Sequence, residues 1–188
     1  MTKEEAAAEE RGGRRGGRRR EVAEVALRGG GMAAAAAAMA LMLTAREEGV
    51  ADIYGFQLSL SSKWSFSPSY QYLVAVSAAA SLYLAVQFLV GSLRLLRRNP
   101  VIPSRQQAWF IFMADQIFAY GMMSAGSAAC GVTNLNRTGI RHTPLPDFCK
   151  SLHSFCNHVA LSILFTFLSC LFLASSALFA VLHLSSIH

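Results

Sequence analysis

Four apolar runs, each about as long as a helix needs to cross ~30 Å of hydrocarbon, constrain this chain more than any other feature. They cover roughly 22–45, 72–93, 108–132 and 159–182. Over half of the 188 residues are apolar, and the 15% that are charged crowd between the runs. A soluble domain would spread its charges over its surface. The expected class is therefore an all-α membrane protein, a four-transmembrane-helix bundle. One membrane domain over 22–182 leaves 1–21 as a basic tail, expected to be disordered and cytoplasmic. Residues 183–188 form a short cytoplasmic tail. The first run is the least apolar: it leans on Ala33–Ala38, includes Gly29–Gly31 and holds Arg28. Its basic front and the end Leu43-Thr44-Ala45 leave a signal peptide as the alternative.

Positive charge predicts the orientation. The tail and the loop between the second and third runs hold eleven Lys and Arg, from Lys3 to Arg20 and from Arg94 to Arg105, against five in the other two loops. Cytoplasmic loops carry the excess, so both termini and the middle loop are expected in the cytoplasm. The run Arg11-Gly-Gly-Arg-Arg-Gly-Gly-Arg-Arg-Arg20 resembles RNA-binding segments and would equally hold anionic lipid head groups. With a span directly following, it reads as a topogenic tail, and no nucleic-acid partner is expected.

Asp115 lies well inside the third run, where an ionised side chain costs several kcal/mol unless it has a partner or a task. The candidate partner is Arg28, at matching depth in the first run, which crosses in the same direction. A hydrogen-bonded pair costs far less than two isolated ions. The alternatives are that Arg28 snorkels or pairs with Glu24 at i−4, and that Asp115 is protonated. Small residues at every fourth position, Gly121, Ala125 and Ala129, and likewise Ser124 and Ala128, offer helix-packing surfaces within or between chains.

The second outer loop carries Cys149 and Cys156. A disulfide between them needs a break in the helix, since residues seven apart on one helix are ~10.5 Å apart. Cys130 is another candidate partner. A zinc site from Cys149, His153, Cys156 and His158 is the alternative, with no standard spacing behind it, so no metal and no cofactor are expected. Asn136-Arg137-Thr138 is a glycosylation sequon close to the membrane. In the first outer loop, Trp64, Phe66 and Pro68 are either interface anchors or a partner surface.

These residues carry a family likeness. Leu27-Arg28, Ser62-Lys63-Trp64, Pro68-Ser-Tyr-Gln-Tyr-Leu-Val, Ala114-Asp115-Gln116, Ser124-Ala-Gly-Ser-Ala-Ala129, Phe148-Cys149 and Phe155-Cys156-Asn157 resemble the Casparian strip membrane domain-like family of plants, distantly related to MARVEL domains. The likeness covers nearly the whole chain after the tail. It implies that Arg28 and Asp115 are the family's intramembrane arginine and aspartate. It also implies a plasma-membrane protein that forms homo- and hetero-oligomers with related members. The family's founders scaffold local wall modification by secreted enzymes. Ala51–Ser69 lacks the stretch that marks those founders, so barrier building is not carried over.

The function expected is a non-enzymatic membrane scaffold, because no nucleophile–base–orienter cluster is legible. The alternative is a small transporter or proton-coupled channel using Asp115. Such a path needs several ionisable groups in series, and the spans offer one acid and one base at a single depth.

Overall fold

A computed structural model of the protein describes residues 3–53, 56–97, 105–138, 149 and 153–186, with side chains for 17–47, 63–97, 105–138, 149 and 153–182. Arg98, Arg141, Phe148 and Lys150, counted above for charge or quoted for likeness, lie outside them. Four helices form the frame: α1 (Lys3–Thr44), α2 (Pro68–Leu96), α3 (Arg105–Thr138) and α4 (His153–Ser186). Each covers one of the apolar runs, α1 all but Ala45, and extends past it at one end or both. Helix α2 starts with Pro68 in its first turn, where the missing N–H costs nothing, after an extended Ser67 (φ −108°).

One expectation changes here. Helix α1 begins at Lys3, so the tail expected to be disordered is continuous with the first span as helix. Alanine and glutamate in 4–10 are good helix formers, and a packed helix downstream removes the nucleation cost. The first outer loop carries regular structure that was not read from the sequence. It forms an antiparallel hairpin, β1 (Arg46–Ile53) with β2 (Phe56–Lys63), from Arg46 opposite Lys63 to Ile53 opposite Phe56. A short 3-10 turn, Trp64–Phe66, joins it to α2. The all-α class therefore holds for the membrane part, with a β-hairpin appended at one end.

Three buried layers show how the helices alternate. Met42 and Ala45 meet Tyr70, Leu73, Ala125, Ala129, Phe155 and Val159 at the hairpin end. Ala35, Ala80, Leu84, Ala119, Met122 and Leu173 fill the middle. Val25 meets Ala108 and Ile111, with Phe88 and Leu95 against them, at the far end. The end of α1 thus lies beside the start of α2, the end of α3 and the start of α4. This is an up-down-up-down bundle whose chain enters and leaves at the same end. Helix α1 packs on α2 and α4, and α3 packs on the same two. Helices α1 and α3 therefore face each other across the diagonal.

By length and composition, three stretches among the described residues can cross a membrane: Gly17–Thr44, Pro68–Leu96 and His153–Leu182. Helix α3 is as long as α4, 34 residues, but carries Gln106, Gln107, Asp115, Gln116, Asn134 and Asn136. Its passage rests on packing, since it contributes to all three layers from one end of the bundle to the other.

The α1–α4 contact is close because α1 presents glycine and alanine to it. Ser162 Oγ donates to the Ala38 carbonyl at 2.7 Å and Ser169 Oγ to the Gly31 carbonyl at 3.1 Å. Serines seven apart on α4 meet carbonyls seven apart on antiparallel α1, a heptad register. Continuing it one step sets Ser176 level with Glu24.

Candidate functional site: a buried charge cluster

The register of α1 places Glu24 and Arg28 one turn apart on the face toward the bundle axis. Arg28 is 2% exposed, Glu24 8% and Asp115 0%. Arg28 Nη2 donates to Glu24 Oε1 at 3.3 Å and to Asp115 Oδ2 at 3.4 Å. Both contacts are longer than the ~2.7–2.9 Å of the tightest charged hydrogen bonds. Because α1 and α3 are diagonal, Arg28 reaches through the bundle centre. Only the long guanidinium arm makes that span possible.

Two further groups complete the cluster. Tyr83 on α2 donates its hydroxyl to Asp115 Oδ1 at 2.6 Å, and its ring stacks on Phe118 with centroids 4.6 Å apart. Glu24, read only as a local alternative, shares Arg28 with Asp115 instead of competing for it. Two carboxylates, one guanidinium and one phenol thus tie α1, α2 and α3 at one level, with Asp115 fully buried. Such an arrangement can lock helices in register, because removing any one charge leaves another unpaired in low dielectric. Tyr83 was legible in principle: it is a tyrosine deep in an apolar run, away from the interfacial belts where tyrosine is ordinarily found. Arg28 Nη1 and Ser176 Oγ are buried and have no hydrogen-bond partner.

The predicted packing residues face inward. Ala125 and Ala129 are fully buried in the hairpin-end layer, and a Cβ on Gly121 would meet Val76 at 3.4 Å. These small residues serve contacts within one chain. Gly126, not singled out from sequence, is the tighter approach: a Cβ there would lie 3.2 Å from Phe167 on α4. Ser124 and Ala128 are exposed.

At the hairpin end, Cys149 and Cys156 form a disulfide with Cα atoms 5.7 Å apart. That separation is about half the ~10.5 Å that one continuous helix would set between them, so the condition for the pairing is met. The bond takes both sulfurs, so the zinc alternative loses its thiolates, and His158 Nδ1 instead lies 2.8 Å from the Ser154 carbonyl. Cys130 is free and exposed, and Cys170 is free and half-buried. Under denaturing conditions, two of the four cysteines should label with maleimide before reduction and all four after it. Labelling of all four without reduction would remove the bridge. Cys156→Ser should cost about 2 kcal/mol for so short a loop.

Glu47 was also missed. Its Oε2 accepts from the Phe155 N–H at 2.6 Å, in the first turn of α4, so a carboxylate on β1 caps that helix and pins the hairpin to the bundle. Nothing in local sequence links residues 108 positions apart. Asn136 of the sequon lies in the last turn of α3, with Nδ2 3.5 Å from Tyr70 Oη, in a helix rather than the loop an acceptor asparagine ordinarily occupies.

No solved structure matches this chain. Among curated proteins, CASP-like protein 3A2 of Arabidopsis thaliana is 67% identical over 148 residues, 79% of this chain and 79% of the relative. CASP-like protein 3A1 of Vitis vinifera is 62% identical over 147 residues, 78% of this chain and 70% of the relative. CASP-like protein 3A1 of Sorghum bicolor is 50% identical over 148 residues, with shares of 79% and 70%. The Casparian strip membrane protein domain matches residues 17–172, which takes in the charge cluster and most of all four helices. This multi-pass membrane protein therefore belongs to the Casparian strip membrane protein domain family.

Proposed function

We propose that this protein is a non-enzymatic scaffold of the plasma membrane that self-associates, joins related members and organises a membrane domain, with both termini cytoplasmic. The observation that carries the reading is the closed cluster at the bundle centre. Arg28 Nη2 is shared by Glu24 and Asp115, and Tyr83 donates to Asp115, so the charges pair at one level rather than lining a path. A rigid bundle with an apolar perimeter, including Leu82, Val86 and Leu89 on α2 and Met113 and Ile117 on α3, is suited to side-by-side packing in lipid. Charge asymmetry supports the orientation, and the disulfide suits an oxidising exterior at the hairpin end. Secreted wall-modifying enzymes are candidate partners for that end, and the basic tail is suited to anionic lipid.

The test is fluorescence recovery after photobleaching of a C-terminally tagged protein in plant cells. A scaffold recovers slowly or not at all, in stable patches. Fast, uniform recovery would sink the reading, and a conductance or uptake abolished by Asp115→Asn would then establish the transporter.

A further inference from the structure

A cleft of about 400 Å³ opens at the hairpin end, between the last turns of α3 and the first turns of α4. Its size falls in the lower part of the ~300–1,000 Å³ range of small-molecule sites. Its polar lining comes from Thr133, Arg137, His153 and Asn157. Arg137, His153 and Asn157 are exposed and can all donate hydrogen bonds, and no carboxylate lies among the described residues of the lining. Thr133 Oγ1 gives its proton to the Ala129 carbonyl at 2.8 Å and accepts from Tyr70 Oη at 3.1 Å, which leaves one lone pair as an acceptor for a ligand. The remaining wall is apolar, made by the Cys149–Cys156 disulfide and Ala160.

Charge and rigidity both favour a ligand of one kind. Glu47 already occupies the start of α4, at 2.6 Å from the Phe155 N–H, so the positive character of the cleft rests on Arg137 and not on the helix dipole. Among the described residues Arg137 makes no ion pair. A planar guanidinium matches a carboxylate through two parallel hydrogen bonds. Two helices and a covalent bridge hold the walls, so little ordering cost attends binding. One acceptor and one amide beside the cation suit hydroxyl groups, and the sulfur–methyl wall suits the C–H face of a ring.

We propose that this cleft binds a small hydroxylated carboxylate, of the sugar-acid class. Arg137 takes the carboxylate, and Asn157 and Thr133 take hydroxyls.

The experiment is titration calorimetry on the full chain in lipid nanodiscs. The probes are glucuronate, glucose and inorganic phosphate, and the variants are wild type, Arg137→Gln and Asn157→Ala. Saturable glucuronate binding is expected, weakened about tenfold or more in Arg137→Gln and several-fold in Asn157→Ala, as losing a charged and a neutral hydrogen bond respectively implies. Glucose and phosphate should bind at least tenfold more weakly than glucuronate. Both substitutions are at exposed positions, and an unchanged thermal melt shows that the fold is intact. Absent glucuronate binding, or binding indifferent to Arg137→Gln, overturns the proposal. So does phosphate binding as tight as glucuronate binding, which would make the cleft a general anion site.

Discussion

Asp115→Lys is expected to stop the protein from reaching the cell surface. The new ammonium would face Arg28 at the bundle centre, where Asp115 is fully buried and its contact with Arg28 is 3.4 Å. It would also strip Tyr83 of the acceptor it meets at 2.6 Å. Breaking a buried pair leaves an uncompensated charge and costs about 3–5 kcal/mol, and two like charges cost more. That is a large part of the ~5–15 kcal/mol that holds a domain together. Adding Arg28→Asp should partly restore delivery. The restoration is incomplete for a reason local to α1: Asp at position 28 would lie one turn from Glu24, a like-charge pair at i, i+4. Adding Glu24→Gln to the swap should therefore raise delivery again. The order to measure, as the surface fraction of a tagged protein, is triple variant above double above single. A double variant no better than Asp115→Lys would argue against direct pairing. A triple variant no better than the double would remove Glu24 from the cluster.

Gly31→Leu should be the most damaging change away from the charges. A Cβ at Gly31 would lie 3.2 Å from Leu84 Cδ1 on α2 and 3.2 Å from Phe172 Cβ on α4. The second neighbour sits next to the α4 backbone and cannot swing aside. Overpacking of this kind costs about 1–3 kcal/mol. The Ser169–Gly31 hydrogen bond of 3.1 Å would be strained as α4 moves away, adding ~1 kcal/mol. The melting temperature of the purified protein should fall by roughly 5–10 °C. Gly131→Leu is the matched control, because a side chain there meets nothing within 4 Å. Equal melting of the two variants would mean that α1 and α4 do not approach as closely as described.

The hairpin shows why part of the fold escaped a sequence reading. Its signals were present: Phe56, Leu58 and Leu60 alternate with Gln57, Ser59 and Ser61, and Tyr54-Gly55 suits a two-residue turn. They are short and lie between runs whose hydropathy dominates the reading. The disulfide was legible as a pair, but whether the chain brings its two Cα atoms within 5.7 Å of each other was not. Glu47 carried no sequence signature of its role, and Tyr83 stood out by its depth but not by its partner, because each acts on a residue far along the chain.

By itself the sequence determined the number of helices, the apolar stretch within each and the two ions that hydrocarbon would not tolerate alone. Those follow from local quantities: apolar length against bilayer thickness, and the cost of a charge out of water. The tertiary structure decided which helices are neighbours and which face each other across the diagonal. It also decided that Gly121, Ala125 and Ala129 turn inward. It brought Tyr83 and Glu24 into one cluster with Arg28 and Asp115. Those outcomes depend on how small residues on α1, α3 and α4 let backbones approach, a property of pairs of surfaces and not of any one segment.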